Sequence, residues 1–69
     1  SLKTVEWSDQ GLAETMARAT HECIDQDQID RARQCYQVFK HYAEKLNIPM
    51  LRAQLPPLTR RLSRAHHQN

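Results

Sequence analysis

Three sets of residues in this 69-residue chain are of types that can do chemistry. The first set is His21 and Asp25, which are four residues apart, like the two histidines of the zinc-protease helix motif. They would share one helix face, but no third ligand is spaced to join them, and Asp25 is also placed to cap a following helix. We therefore interpret the pair as a solvated helix end and predict no metal and no cofactor.

The second set is the pair of cysteines, Cys23 and Cys35. A thiol nucleophile needs a nearby base, and His41, six residues after Cys35, would lie on a different side of a helix. Between two antiparallel helices the cysteines would be offset by more than one helical turn, beyond the reach of a disulfide. We expect buried free thiols in a reducing, cytoplasmic compartment. The sequence also lacks a glycine-rich phosphate loop, and it is predicted not to be an enzyme.

The third set is the group of arginines near the C-terminus, Arg60, Arg61 and Arg64. Charge is unevenly divided along the chain: residues 1–30 hold seven acidic and two basic residues, whereas residues 31–69 hold one acidic and eight basic residues. The basic segment can contact nucleic-acid phosphates or an acidic protein groove. It can equally be a solvated helix end that balances the acidic half.

Two features of this basic segment argue against nucleic acid. It has no aromatic residue to stack on bases, and Leu55-Pro56-Pro57 is a poor substitute for the tight turn of a helix-turn-helix. We therefore predict a small non-catalytic adaptor or regulatory module that binds another protein. The alternative is a small nucleic-acid-binding regulator that uses Arg60, Arg61 and Arg64.

The element that must position these residues is a helix predicted over 27–46. Its apolar residues recur in steps of three and four and cover about half of the helix surface, which predicts contact with two neighbours. These residues are Ile29, Ala32, Cys35, Tyr36, Val38, Phe39, Tyr42, Ala43 and Leu46. A cap at Asp25 or Asp27 should begin the helix, and a left-handed Asn47 before Pro49 should end it.

Two further elements are predicted on either side. A helix over 8–23 should begin at the N-cap Ser8, with Trp7 packed against Leu12. Its apolar stripe is formed by Leu12, Met16, Ala19 and Cys23, with Ala13, Ala17, Thr20 and Ile24 beside it. The segment 49–67 should form a broken helical tail. Pro49 opens one turn there, Pro56 biases Leu55 away from helix, and Pro57 starts the final helix.

The predicted fold is a single all-α domain over 1–69, formed by an antiparallel helical hairpin with a short proline-broken C-terminal helix. A chain this short buries only about 60% of its unfolded surface, so we expect a homodimer to complete the bundle. The predicted dimer or bundle face comprises Tyr36, Phe39, Tyr42 and Leu46. No apolar run reaches the length of a membrane span, and no membrane contact is predicted. Because the chain begins at Ser1, we expect its natural start to have been removed.

Overall fold

The computed structural model describes residues 8–68, with side chains described through Ala65. It contains α1 (Asp9–Asp25), α2 (Ile29–Leu46), the single turn α3 (Pro49–Arg52) and α4 (Leu55–Gln68). No strand occurs between residues 8 and 68, which confirms the all-α prediction. The predicted contact of Trp7 lies outside the described residues.

The start of α1 follows from its first four residues. Ser8 is the N-cap, and the Gly11 backbone N–H donates to its Oγ over 2.9 Å. Asp9 places a carboxylate in the first turn, where the helix dipole is positive. These contacts confirm the predicted cap, although α1 continues to Asp25 rather than ending at residue 23.

The turn between α1 and α2 is closed by backbone hydrogen bonds rather than by a side-chain cap. Asp27 has a φ of 61°, its N–H donates to the Ile24 carbonyl at 3.0 Å, and the Gln28 N–H donates to the Cys23 carbonyl at 2.8 Å. This pair of backbone hydrogen bonds is the Schellman motif that ends many helices. The predicted caps were therefore wrong: Asp25 belongs to the last turn of α1, and Gln28 caps α2 without a side-chain bond.

The end of α2 is the left-handed residue Asn47, with φ 54° and ψ 41°, as predicted. Its N–H donates to the Ala43 carbonyl over 3.2 Å. Its side-chain Oδ1 accepts a hydrogen bond from Arg52 Nη1 at 2.6 Å. Pro49 occupies the first position of α3, where a missing N–H costs no helical hydrogen bond.

The start of α4 differs from the prediction. Leu55 is the first helical residue, and both Pro56 and Pro57 lie in the first turn. The Leu58 N–H makes the first helical bond, to the Gln54 carbonyl at 3.2 Å. The N–H groups of a first turn have no helical acceptor, so two prolines there remove donors that would otherwise need a partner. The expectation that Leu55 would be non-helical was wrong for this reason.

The core brings all four helices together. Its fully buried members are two alanines from α1, one aromatic and one alanine from α2, and one leucine each from α3 and α4. They are Ala13, Ala17, Phe39, Ala43, Leu51 and Leu58. Phe39 has no exposed surface, so a single chain covers the largest apolar side chain of α2.

The buried side of α1 is shifted from the predicted stripe. Ala13, Ala17 and Thr20 are buried, whereas the predicted centre of the stripe, which includes Leu12 and Met16, is only half-buried. The Thr20 hydroxyl donates to the Met16 carbonyl over 2.8 Å, which satisfies this buried polar group inside the helix. Small buried side chains let the α1 backbone approach α2 closely, and the larger side chains lie at the margins of the contact.

Membrane-spanning helices are absent from the described residues, because none of their helices combines the necessary length with enough apolar character.

Candidate functional site

The C-terminal helix α4 presents two different faces. Leu58 and Leu62 are buried against the core, and Ala65 is half-buried on the same side. Arg60 and Arg64 are exposed and lie four residues apart, so they occupy neighbouring positions on the opposite side of the helix.

Arg61 is held by α1. Its Nη1 donates to His21 Nδ1 at 2.8 Å and to the His21 carbonyl at 3.5 Å, and its Nη2 contacts Asp25 Oδ1. Since a guanidinium group has donors only, Nδ1 of His21 must be the acceptor, and the neutral ring then carries its proton on Nε2. Arg61 therefore attaches α4 to the last turns of α1.

These contacts assign a different role to the pair that the sequence analysis compared with a metal motif. His21 and Asp25 do share one helix face, and the cation on that face is the guanidinium group of Arg61. Within the part of the chain that the structure describes, no group of three potential ligands is close enough to hold a metal ion. The four-residue spacing of His21 and Asp25 was the sequence signal for this contact. The arginine that binds them, Arg61, lies 36 residues after Asp25.

The other edge of α4 contacts α2. The Tyr36 hydroxyl and Thr59 Oγ1 are 2.6 Å apart and form a hydrogen bond. Tyr36 was predicted for a dimer or bundle face, and it lies at the contact with α4. Polar contacts on both edges, from Arg61 and from Thr59, thus fix the rotation of α4 about its own axis.

The outer face of α4 has no such partners. Among the ion pairs and hydrogen bonds of the residues with described side chains, none includes Arg60 or Arg64. The sequence of α4 contains no acidic residue that could neutralise them. The three arginines that the sequence grouped together are therefore divided: Arg61 is used within the chain, and Arg60 and Arg64 face solvent.

A shallow depression of about 290 Å³ lies beside the Arg61–Asp25 contact. Its lining combines the apolar side chains Ile24 and Ala65 with Arg64 and the Arg61–Asp25 pair. The depression joins the outer face of α4 to the end of α1. It offers a small apolar contact next to the exposed guanidinium group of Arg64.

The rest of the predicted dimer face is divided as well. Phe39 is fully buried, whereas Tyr42 and Leu46 are half-buried. The Tyr42 ring has Lys45 Nζ at 5.7 Å from its centroid, and the edge-on His41 ring at 5.1 Å. Among residues 8–65, the large apolar side chains that are exposed are Val38 at 38% and Met50 at 74%, and the sequence analysis did not select Met50.

The two cysteines are free and half-buried, whereas the sequence analysis expected buried thiols. The pKa of the Cys35 thiol is raised by burial, by the neighbouring Cys23 thiol and by a hydrogen bond between the two, while Arg31 partly offsets the rise. Cys23 is four residues before the centre of the turn, Asp27, and Cys35 is eight residues after it. That offset of four residues is about 6 Å along the helix axis.

No protein-family model, curated protein or solved structure matches this chain. The structural observations that bear on function are therefore the contacts of Arg61 and the exposure of Arg60 and Arg64.

Proposed function

We propose that the protein is a small non-catalytic regulatory module that binds an acidic surface of another protein through Arg60 and Arg64. The main support is the division of the α4 arginines. Arg61 is held by α1, whereas Arg60 and Arg64 are exposed one turn apart on a helix without acidic residues. Each free guanidinium group offers a planar set of donors that matches a carboxylate in two places.

The depression beside Arg64 supplies the second part of the proposed surface. Ile24 and Ala65 line it, so a small apolar side chain of the partner can be buried next to a carboxylate that binds Arg64. Arginines beside apolar contacts are enriched among the residues that contribute most to protein interfaces. The phosphate groups of a nucleic acid would make no apolar contact with Ile24 and Ala65.

The proposed platform under α4 is an antiparallel hairpin of α1 and α2. Only residues 26–28 separate these helices. Lys45 Nζ, near the end of α2, is 3.7 Å from Asp9 Oδ2, near the start of α1. Such a hairpin holds α4 in one orientation and keeps Arg60 and Arg64 exposed.

A homodimer is proposed with a smaller interface than the sequence suggests. Phe39 is buried within its own chain and Tyr36 contacts Thr59, so neither is available to a second copy. The remaining surface for self-association is the edge of α2 that carries Val38 and Tyr42. Sedimentation at micromolar concentration should show a dimer that Val38→Asp converts to a monomer. A monomeric wild-type protein would contradict this proposal.

The test of the main function is a comparison of affinity purifications from the source cells, with bound proteins identified by quantitative mass spectrometry. Wild-type protein should retain a partner with an acidic surface, and the variant Arg60→Glu/Arg64→Glu should lose it at least tenfold. The matched control is Arg18→Glu/Arg31→Glu, which changes two exposed arginines and the net charge by the same amount. The control should retain the partner.

Nucleic acid is the alternative ligand of the same face, and the purification separates the two. Nuclease treatment of the lysate should leave the partner bound. If the partner is lost with nuclease, and duplex DNA binds with a salt dependence that Arg60→Glu/Arg64→Glu flattens, the protein is instead a nucleic-acid-binding regulator. Equal recovery of all proteins by wild type and double variant would exclude α4 as the binding surface.

A further inference from the structure

Ser63 lies on the exposed side of α4, three residues after Arg60. The hydroxyl of Thr59, on the same helix, is hydrogen-bonded to Tyr36 at 2.6 Å. Among the hydrogen bonds of the residues with described side chains, none includes Ser63. The Ser63 hydroxyl is therefore a nucleophile that another protein can reach, and the function proposed for Arg60 and Arg64 does not use it.

The residues before Ser63 form the charge pattern of a phosphorylation site. Arg60 is three residues before Ser63, and Arg61 is two residues before it. Basophilic serine kinases select arginine at these two positions, because their acidic grooves pair with guanidinium groups. Thr15 provides an internal comparison: it is exposed on α1, but no arginine stands two or three residues before it.

We infer that Ser63 is a site of phosphorylation by a basophilic serine kinase, and that the phosphate prevents acidic partners from binding Arg60 and Arg64. The modification follows from Ser63 and its neighbours, whereas its effect on partners rests on the proposed function. A phosphoserine carries a charge of about −1.5 to −2 and three acceptor oxygens. Residues three apart on a helix are neighbours, so this phosphate is within reach of the Arg60 guanidinium group. The charge of the two exposed arginines is thereby cancelled.

The co-reactant of this modification is ATP with its magnesium ion. A base of the kinase takes the proton of the Ser63 hydroxyl while the oxygen attacks the γ-phosphorus of ATP. The bond between the γ-phosphorus and the β,γ-bridging oxygen breaks, and ADP leaves. One phosphoester is formed at Ser63 Oγ. Hydrolysis by a phosphatase restores the hydroxyl and releases inorganic phosphate.

A kinase binds its substrate segment in an extended conformation, so the end of α4 must open before Ser63 reacts. This end is held by the buried Leu62, by the half-buried Ala65 and by the contact of Arg61 with Asp25. Helix ends open at a lower free energy than the whole domain unfolds. The segment around Ser63 can therefore open while Leu58 stays in the core.

The experiment treats the purified full chain with magnesium-ATP and the catalytic subunit of cyclic-AMP-dependent protein kinase, which is a basophilic serine kinase. Intact mass and peptide mapping should find one phosphoryl group per chain, located at Ser63 and absent from Thr15. Ser63→Ala should stay unmodified, and Arg60→Gln should react at least tenfold more slowly. An unmodified wild-type protein, or equal rates for wild type and Arg60→Gln, would overturn the inference.

Phosphorus NMR tests the contact of the phosphate with Arg60 without any partner. The second ionisation of a phosphoserine, ordinarily near pH ~6, should occur at a lower pH in phosphorylated wild-type protein than in phosphorylated Arg60→Gln, since a neighbouring cation favours the dianion. Arg18→Gln is the matched control on the exposed surface of α1 and should behave as wild type. Coincident titrations of wild type and Arg60→Gln would contradict the proposed contact.

Affinity purification separates this inference from the proposed function. Phosphorylated wild-type protein should lose its acidic partner at least tenfold, and Ser63→Ala treated with the same kinase should retain it. Equal retention by both would overturn the effect of the phosphate while the proposed function stands. If untreated wild-type protein retains no partner, the proposed function fails, and the mass and NMR results alone decide whether Ser63 is modified and whether its phosphate binds Arg60.

Discussion

The contact between α1 and α2 and the attachment of α4 are built from different kinds of side chain. Where α1 meets α2, the fully buried residues are mostly alanines, which allow close approach but bury little apolar area. Leu58 and Leu62 of α4 supply larger buried groups, and Arg61 and Thr59 fix its edges. The difference separates the two faces of α4. Its inner face completes the core, and its outer face, which carries Arg60 and Arg64, is exposed.

The largest expected effect tests the core that these two regions share. Phe39→Ala should lower the free energy of unfolding by about 3–5 kcal/mol, because it leaves a cavity among α1, α2 and α4. Val38→Ala is the matched control on the neighbouring exposed position and should cost less than about 1 kcal/mol. Urea denaturation measures both values. Similar losses in the two variants would mean that Phe39 is not a core residue.

The next effect tests whether α4 contributes to the core as an integral element. Leu58→Ala should lower the free energy of unfolding by about 2–5 kcal/mol, since Leu58 is fully buried. The m-value of the urea transition should stay the same, because α4 unfolds together with the other helices. A two-step transition in the wild-type protein, with α4 lost first, would show instead that α4 is a separable attachment.

A smaller effect distinguishes Arg61 from Arg60. Arg61→Gln should cost about 0.2–1 kcal/mol, the range of a solvent-exposed ion pair, and Arg60→Gln should stay within about 0.5 kcal/mol of wild type. A double-mutant cycle with Asp25→Asn isolates the interaction. Coupling to Asp25 should be measurable for Arg61 and absent for Arg60. Equal coupling for both residues would remove the distinction on which the proposed surface depends.

The smallest effect on stability concerns Cys35, whose pKa is raised mainly by burial. Folding favours the protonated thiol. Its stabilising contribution is therefore present below the pKa of the unfolded thiol and is lost as the pH rises through the folded value. In the Cys23→Ser variant, the pH at which alkylation of Cys35 reaches half of its maximal rate should be higher in the folded protein than in urea. Coincident pH profiles in the two states would contradict the raised pKa.

Local sequence signals correctly predicted the start of α1 and the end of α2, because at each of these positions a single residue determines the backbone conformation. Ser8 supplies its own acceptor to the first turn, and Asn47 tolerates the left-handed conformation, so both positions could be predicted. Asp27 was misassigned because an aspartate suits both a cap and a left-handed residue. Pro56 was misassigned because the preference of its preceding residue is weaker than the fit of two prolines to a first turn.

Contacts between distant residues could not be predicted from the same signals. The spacing of His21 and Asp25 indicated a shared face, but nothing local indicates that Arg61 lies opposite that face. The contact of Tyr36 with Thr59 likewise joins residues that are 23 positions apart in the sequence. Both contacts are set by packing, which sequence spacing alone does not specify.

The central claim is that α4 completes the core over Phe39 within one chain and so leaves Arg60 and Arg64 exposed. An isotope-filtered nuclear Overhauser experiment on an equal mixture of labelled and unlabelled protein tests this claim directly. We predict contacts of the Phe39 ring with methyl groups of the buried leucines Leu51 and Leu58 within labelled chains. Contacts seen only between labelled and unlabelled chains, or none at all, would contradict the account.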